Sequence, residues 1–550
     1  MKRPKAQAWL AERAVSLSAG FSWVRVTIAI IAGGLHAASL AWPLAFQSFP
    51  FLFLGLNYGQ PVWWLQLLAL GLLCWLLVHP ENKGDKAWRL AALWGWLFST
   101  AWLTGTIGWT FVAMNTYGGL PFVLAVLAVL ALAGLLALFF AVVCGLFKFL
   151  APVNKSWSAI VFASLWLMAE LVRGTLLTGF GWGAAGYAHV EGPLAGFTPW
   201  IGVYGLCAVT AWLAMTLVHL IRIEPDRSGR QRVVSLVTVF VVLAVPVSAK
   251  WLAPEMTQST GNLSVTLLQG NIPQEEKFET GTGIPTALQW YAEQLQISRT
   301  SLVIAPETAI PVLPQQLPPA YWTKLIQRFG SGQQAALIGT PLGNFQQGYT
   351  NSVVGLKPGQ AQPWQYDKFH LVPFGEFIPP FFKWFTEMMN IPLGDFNRGV
   401  LPQPPFEWQG QKLAPNICYE DLFSEELASN FRDPAQAPTI FINISNLAWF
   451  GKSMAMDQHL QIARMRALEF ERPFVLATNT GVTAIVDHRG RIVRRIPRNT
   501  QGVLVGEVEG RSGMTPYAWW VARVGLWPCW LVAIGVIMLA MRRRLPVATK

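Results

Sequence analysis

Apolar positions fill long runs through the first 250 residues and again near the end of the chain, with shorter bursts between. A helix needs about 20 mainly apolar residues to cross the hydrocarbon core of a bilayer. Runs of that kind occupy 23–45, 61–79, 88–112, 119–147, 156–175, 194–221, 233–251 and 518–541. The pattern predicts an α-helical transmembrane bundle of about eight spans. It consists of a seven-helix domain over 23–251, preceded by a segment 1–22, and a single C-terminal helix over 518–541. The run FPFLFLGL (49–56) is too short to cross and is expected at the interface.

Residues 262–510 are patterned differently. LSVTLLQGNIP, SLVIAPETAIP, AALIGTPLG, APNICYE, TIFINISN and FVLATNTG read as short strands, and 285–298 and 454–471 between them read as helices. VTAIVDHRGRIV predicts a hairpin turning at HRGR, and GVLVGEVEG one more strand. Near-continuous apolar strands alternating with helices predict a layered α/β domain. In such sheets chemistry collects at the carboxyl ends of strands. Glu307, Cys418 and Asn446 each fall at or just beyond such an end.

Composition agrees: 53% of the 550 residues are hydrophobic and 13% charged, against about 25% charged in an average soluble protein. The formal net charge is +12, but many of the cations sit in alternate loops. Lys2, Arg3, Lys5 and Arg13 come first, and the 46–60 loop carries no charge. Lys83, Lys86 and Arg89 follow, then an uncharged AMNTYGG, then Lys148 and Lys155. Arg222, Arg227, Arg230 and Arg232 precede the α/β block, and Arg542, Arg543 and Arg544 end the last run. Positive loops stay inside, so both termini are expected in the cytoplasm and 262–510 on the far side. Topology accounts for the cations, and nucleic acid is not an expected partner. No cleavable signal peptide is evident, and the first span is expected to remain as an anchor.

Cys74, Cys144, Cys207 and Cys529 lie in apolar runs and read as small packing groups. No metal-ligand spacing or disulfide framework appears, and no metal or organic cofactor is expected. Cys418, in KLAPNICYEDLF, is the only cysteine of the soluble block. An unpaired thiol outside the cytoplasm is a liability unless its reactivity is used. A cysteine nucleophile needs a proton acceptor and a positive neighbour. Glu307 in VIAPETAIP and Lys368 in YDKFHLVPFGEF are the candidates, and the backbone N–H after Cys418 would add an oxyanion donor. His370, His459 and His488 leave a Cys–His dyad as a rival. Glu170 and Arg173 share a helix face in the fifth span, as a functional site or a structural ion pair. The aromatic and Met-rich FFKWFTEMMNIPLGDF (381–396) reads as a lipid-facing lid or a core-packing loop. Its candidate lid residues are Trp384, Phe385, Met388, Met389, Ile391, Leu393 and Phe396.

The segments around Glu307, Lys368 and Cys418 resemble the nitrilase superfamily, whose members carry a Glu–Lys–Cys triad on an αββα sandwich. GFGWG, QGNIPQ, APETAIP, KFHLVPFGEFIP, ICYED, NISNLAWFG and MRALEFERP…TNTG, in that order, resemble the apolipoprotein N-acyltransferase family over nearly the whole chain. The resemblance implies Glu307 as general base, Lys368 as stabiliser of the intermediate and Cys418 as nucleophile. Glu376, Tyr419, Glu420 and Asn446 would be supporting residues. It implies a monomer in the bacterial inner membrane, with the α/β domain in the periplasm. It further implies ping-pong transfer of an acyl chain from a phospholipid, usually phosphatidylethanolamine, through a Cys418 thioester. The acceptor would be the α-amino group of the diacylglyceryl-cysteine of an apolipoprotein. The sequence departs from the family at Leu447, where members often carry aspartate. A membrane-tethered amidohydrolase, with water as final acceptor, is the alternative enzyme. A non-catalytic binding protein or transporter is disfavoured, because no internal repeat is visible.

Overall fold

A computed structural model describes residues 22–45, 55–79, 87–150, 155–222, 229–252, 255–360, 362–378 and 396–544. The N-terminal part is helical: α1 (Trp23–Leu40), α2 (Trp63–Val78), α3 (Ala87–Ile107), α4 (Phe122–Leu150), α5 (Lys155–Thr175), α6 (Thr198–Ile221) and α7 (Gly229–Leu252). Each coincides with an expected span. Segment 1–21 and most of 49–56 lie outside the described residues, but Leu56 is buried against Val62 and Leu65. α1, α4, α5, α7 and α6 with the turn before it (Pro193–Ile221) are long and apolar enough to cross a membrane. α2, at 16 residues, is apolar but shorter. Small residues let the helices approach closely. A Cβ on Gly33 of α1 would lie 2.1 Å from the Phe98 carbonyl oxygen of α3.

Two expected spans are broken. The C-terminal run 518–541 is not one helix but α11 (Pro516–Val524) and α12 (Trp527–Arg544), bent by 85°. The chain turns at Gly525, in the left-handed region at φ 55°, which glycine adopts without a side-chain penalty. Arg523, Gly525 and Pro528 mark this corner locally, but the apolar run around them masks it. α6 is interrupted at Gly202, with φ 62°. The Val203 N–H beside this break donates to Glu469 Oε1 at 2.7 Å, and Glu469 belongs to the α/β domain.

That domain has two six-stranded sheets. The first runs β12-β1-β2-β3-β4-β5, from β1 (Thr257–Gln269), β2 (Leu302–Ala305), β3 (Ala335–Asn344), β4 (Gly348–Leu356), β5 (Trp364–Asp367) and β12 (Gly502–Gly513). The second runs β11-β10-β9-β8-β7-β6, from β6 (Phe406–Trp408), β7 (Gln411–Ile417), β8 (Ile440–Ser445), β9 (Phe474–Thr478), β10 (Ala484–Val486) and β11 (Ile492–Arg495). β1, β2 and β3 pair in parallel, as do β7, β8 and β9, and β10–β11 is the expected hairpin. The inner faces meet through Leu267, Ile304, Leu337, Ile442 and Val475. α8 (Gly283–Ile297) and α9 (Tyr321–Gly330) cover the first sheet with Leu288, Leu295, Leu325 and Phe329.

α10 (Ala455–Phe470) covers the second sheet, and all sixteen of its residues are buried. Its apolar side meets the sheet, where Phe470 lies 5.4 Å from Phe441. Its polar side meets the helical bundle. Gln458 accepts from the indoles of Trp109 and Trp182, Gln461 donates to the Gly59 carbonyl, and Arg464 pairs with Glu191. Buried polar groups need partners, and here the bundle supplies them.

Candidate active site

Strands of both sheets end at one place, and each end delivers a polar side chain. Glu307 follows β2, Lys368 follows β5, Cys418 follows β7 and Asn446 follows β8. Glu307, Lys368 and Glu376 are all buried. The Lys368 ammonium lies 2.9 Å from Glu376 Oε1 and 3.5 Å from Glu307 Oε1. Asn351 of β4 donates through Nδ2 to both carboxylates, at 2.7 Å each. The Asn446 N–H holds the other Glu307 oxygen at 2.8 Å, and the Val372 N–H holds Glu376 Oε2 at 2.8 Å. Burial opposes the Lys368 charge, but Glu376 and then Glu307 outweigh it and hold the ammonium well above the usual lysine range.

Cys418 is partly exposed at the corner between β7 and the following turn. Its φ of 52° is left-handed, a conformation a residue with a side chain keeps only where its surroundings hold it. The Cys418 carbonyl accepts from Asn443 Nδ2 at 3.0 Å and lies 3.4 Å from His459 Nε2. Burial pushes the thiol well above its usual range, Glu307 adds to this, and Lys368 pulls the other way. A thiol held in this way would need a base to take its proton before it could act as a nucleophile.

The supporting residues divide by task. Glu420 ties the corner to the lysine loop: its carboxylate accepts from the backbone N–H groups of Ile417 (2.6 Å), Phe369 (2.7 Å) and His370 (3.1 Å), and from Tyr366. Burial raises the Glu420 carboxyl to about 7, against the pull of those donors and Lys368. Tyr419 points to the bundle, its hydroxyl donating to the Gly179 carbonyl at 3.0 Å. Asn446 also holds Gln274 and Asn479. Leu447 is buried and faces Gly481. Of the lid candidates only Phe396 lies within the described residues, its N–H donating to the Glu376 carbonyl at 2.9 Å; Trp384, Phe385, Met388, Met389, Ile391 and Leu393 fall outside them.

The histidines do not form the rival dyad. His370 lies against Glu426 (2.8 Å) and His488 against Glu255 (3.3 Å). His459 approaches the carbonyl of Cys418, and its ring pairs with Asp421 at 3.1 Å.

Sequence reasoning missed Lys277 and Asn351. Lys277 is fully buried and donates to the Glu307 carbonyl at 3.2 Å. Burial pushes its ammonium down to about 7, with Glu307 and Cys418 opposing. The only signal was its place just past the QGNIPQ motif, where a lone lysine reads as a solvated charge. Asn351 lies in a Gly- and Asn-containing stretch with no strand pattern. Alkylation of Cys418 by an uncharged reagent is expected to be slow at pH 7 and still rising above about pH 9. Lys277→Gln removes a cation that is charged only below about pH 7, and is expected to slow it further there while leaving the rate at about pH 9 unchanged. Peptide mapping after timed alkylation reads both effects, and a rate already flat at pH 7 would contradict them.

Two family models match the chain in order. Residues 36–216 match the apolipoprotein N-acyltransferase N-terminal domain, and residues 264–517 match carbon-nitrogen hydrolase. An apolipoprotein N-acyltransferase of Verminephrobacter eiseniae is 52% identical, over 90% of this chain and 92% of its own. Those of Ralstonia nicotianae and Bordetella bronchiseptica are 41% and 37% identical, over 88% and 96% of this chain and 90% and 98% of their own. Among solved structures, a nitrilase-superfamily amidase of Nesterenkonia AN1 aligns with 51% of this chain and 100% of its own, at 15% identity and a TM-score of 0.35. With a bundle of apolar helices and a two-sheet nitrilase-like domain both in place, the chain belongs to the apolipoprotein N-acyltransferase family, acyltransferases of lipoprotein maturation, and is a multi-pass bacterial membrane protein.

Proposed function

We propose that Cys418 carries an acyl chain, as a thioester, from a phospholipid to the α-amino group of the diacylglyceryl-cysteine of an apolipoprotein. Glu307 takes the thiol proton as sulfur attacks the ester carbonyl. Lys368 and the backbone N–H after Cys418 stabilise the oxyanion. Collapse expels the lysophospholipid alkoxide, which leaves with the proton held by Glu307. The neutral amine then attacks the thioester, Glu307 takes its proton, and the released thiolate recovers one. Glu376 orients Lys368, and Glu420, Tyr419 and Asn446 fix the corner and the base. Phosphatidylethanolamine is the donor and the protein acts as a monomer. The 23–251 domain and the bent C-terminal pair make eight crossings, with the termini in the cytoplasm and the 262–510 domain in the periplasm.

One observation carries the reading: the left-handed Cys418 corner and the paired Glu307 and Lys368 lie at strand ends, and that corner leans on the membrane bundle through Tyr419. Both substrates are lodged in lipid, and extracting an acyl chain would cost about 0.8 kcal/mol per CH₂. A site resting on the bundle avoids that cost. Purified protein incubated with fluorescent phosphatidylethanolamine is expected to give a hydroxylamine-sensitive adduct on Cys418, discharged by a diacylated lipopeptide as a triacylated product. Discharge only to free fatty acid would favour the amidohydrolase alternative, and labelling of Cys418→Ala would exclude this nucleophile.

A further inference from the structure

The ion pair buried in α5 belongs to none of the steps above. Arg173 Nη2 lies 2.7 Å from Glu170 Oε2, and both side chains are fully buried. Taking two charges out of water is expensive, and a buried pair is weak evidence for stability by itself. Its remaining hydrogen bonds show where it acts. Arg173 Nη1 donates to the carbonyls of Phe180 and Trp182, at 2.7 Å each, and the Ala185 N–H donates to Glu170 Oε1 at 3.2 Å. The pair thus clamps the loop that leaves α5.

That loop is tightly constrained. Leu177, Gly179 and Gly183 are all left-handed, and a Cβ on Gly179 would sit 2.1 Å from the Gly174 carbonyl oxygen. Gly179 and Trp182 tie it to the α/β domain. The Gly179 carbonyl accepts the Tyr419 hydroxyl at 3.0 Å. The Trp182 indole donates to Gln458 at 2.8 Å, and its ring stacks on His459 at 6.1 Å and 16°. His459 in turn meets Asp421 at 3.1 Å and the Cys418 carbonyl at 3.4 Å. Both routes end within three residues of the left-handed Cys418.

We infer that Glu170 and Arg173 are a positioning pair for the nucleophile, acting from inside the membrane bundle through loop 176–184 on Tyr419 and His459. The bundle then sets the aim of the sulfur as well as anchoring the domain. The inference rests on Cys418 being the acylated residue. Neither side chain touches the reacting atoms, so the expected signature is a lower kcat for adduct formation at an unchanged phospholipid KM. A shift of about 1 Å at a reacting centre can cost about 100-fold.

The test uses full-length protein in detergent micelles with fluorescent phosphatidylethanolamine, and measures kcat and KM for the Cys418 adduct. Arg173→Gln is expected to lower kcat by about 10- to 100-fold. Arg173→Lys is expected not to rescue it, because an ammonium cannot reproduce the guanidinium fork that holds the carboxylate and two carbonyls. Arg173→Gln combined with Tyr419→Phe is expected to be less than multiplicative, because the two changes break one chain of contacts. Multiplicative losses, or an unchanged kcat in Arg173→Gln, would overturn the inference. If Arg173→Gln does not fold, Trp182→Phe removes a single indole donor and carries the same test: slower adduct formation at constant KM supports the inference, and a native rate overturns it. Native protein that forms no adduct would remove the acyl-transfer reading itself. A native adduct matched by the variants would remove only the positioning role.

Discussion

Cys418→Ser is expected to fold normally and to form no acyl adduct, with transfer to a lipopeptide reduced by roughly 10⁴-fold or more. The hydroxyl nearly matches the thiol in size, and the Asn443 and His459 contacts are to the carbonyl of residue 418, not to its side chain. The corner therefore keeps its shape. The chemistry does not survive, because a hydroxyl ionises far less readily than a thiol and the positioned carboxylate is matched to sulfur. Measuring fluorescent acyl transfer beside a thermal melt separates the two effects. A melt within a few degrees of the native one together with lost transfer is the expected pair. Transfer within about tenfold of the native rate would remove Cys418 from the centre of the scheme.

Lys368→Met is the second large effect, and it reaches stability as well as rate. Glu307 and Glu376 both hold Asn351 Nδ2 at 2.7 Å, and Lys368 is the ammonium between them. Its removal leaves two buried carboxylates side by side, at a cost of about 3–5 kcal/mol. Like charges at that spacing keep one proton between them, so one carboxyl pKa rises above its unfolded value. The folded variant then binds more protons than the unfolded chain over the acid range, and its stability rises as pH falls from about 7 to about 5. In the native protein the raised pKa belongs to Lys368. That contribution is complete below the unfolded lysine value of about 10.4 and is lost only as pH rises through the folded one. It is therefore flat between pH 5 and 8. The difference in melting temperature between native and variant should narrow at pH 5, which a thermal shift series reads directly. Adduct formation should fall by about 10³-fold at neutral pH, because the oxyanion loses its cation. A gap that widens toward acid would show that the two carboxylates do not share a proton.

Most helices and strands were legible in the sequence because hydropathy is written locally. β4, β5 and β6 were not: GYTNSVVGL breaks alternation with Gly, Asn and Ser, and the other two strands have four and three residues. The 85° corner at Gly525 was hidden because a long, mainly apolar run outweighed the local signal of Arg523, Gly525 and Pro528. At the site, Glu307, Lys368 and Cys418 could be read from their motifs, but Lys277 could not, since burial of a lone lysine leaves no periodic trace. α10 was recognisable as a helix over 454–471, yet nothing nearby shows it buried on every side. Its partners Trp109, Trp182 and Glu191 lie far back in the chain.

By itself the sequence determined a membrane-embedded chain and a layered α/β domain, and it singled out Glu307, Lys368 and Cys418 as candidates, because hydrophobic period and motif composition act over a few residues. Only the tertiary structure decided that one lysine serves two carboxylates, that a second buried lysine backs Glu307, and that loop 176–184 reaches the Cys418 corner. Those features are hydrogen bonds between strand ends and loops far apart in the chain, and their geometry exists only once two sheets and a bundle have packed around them.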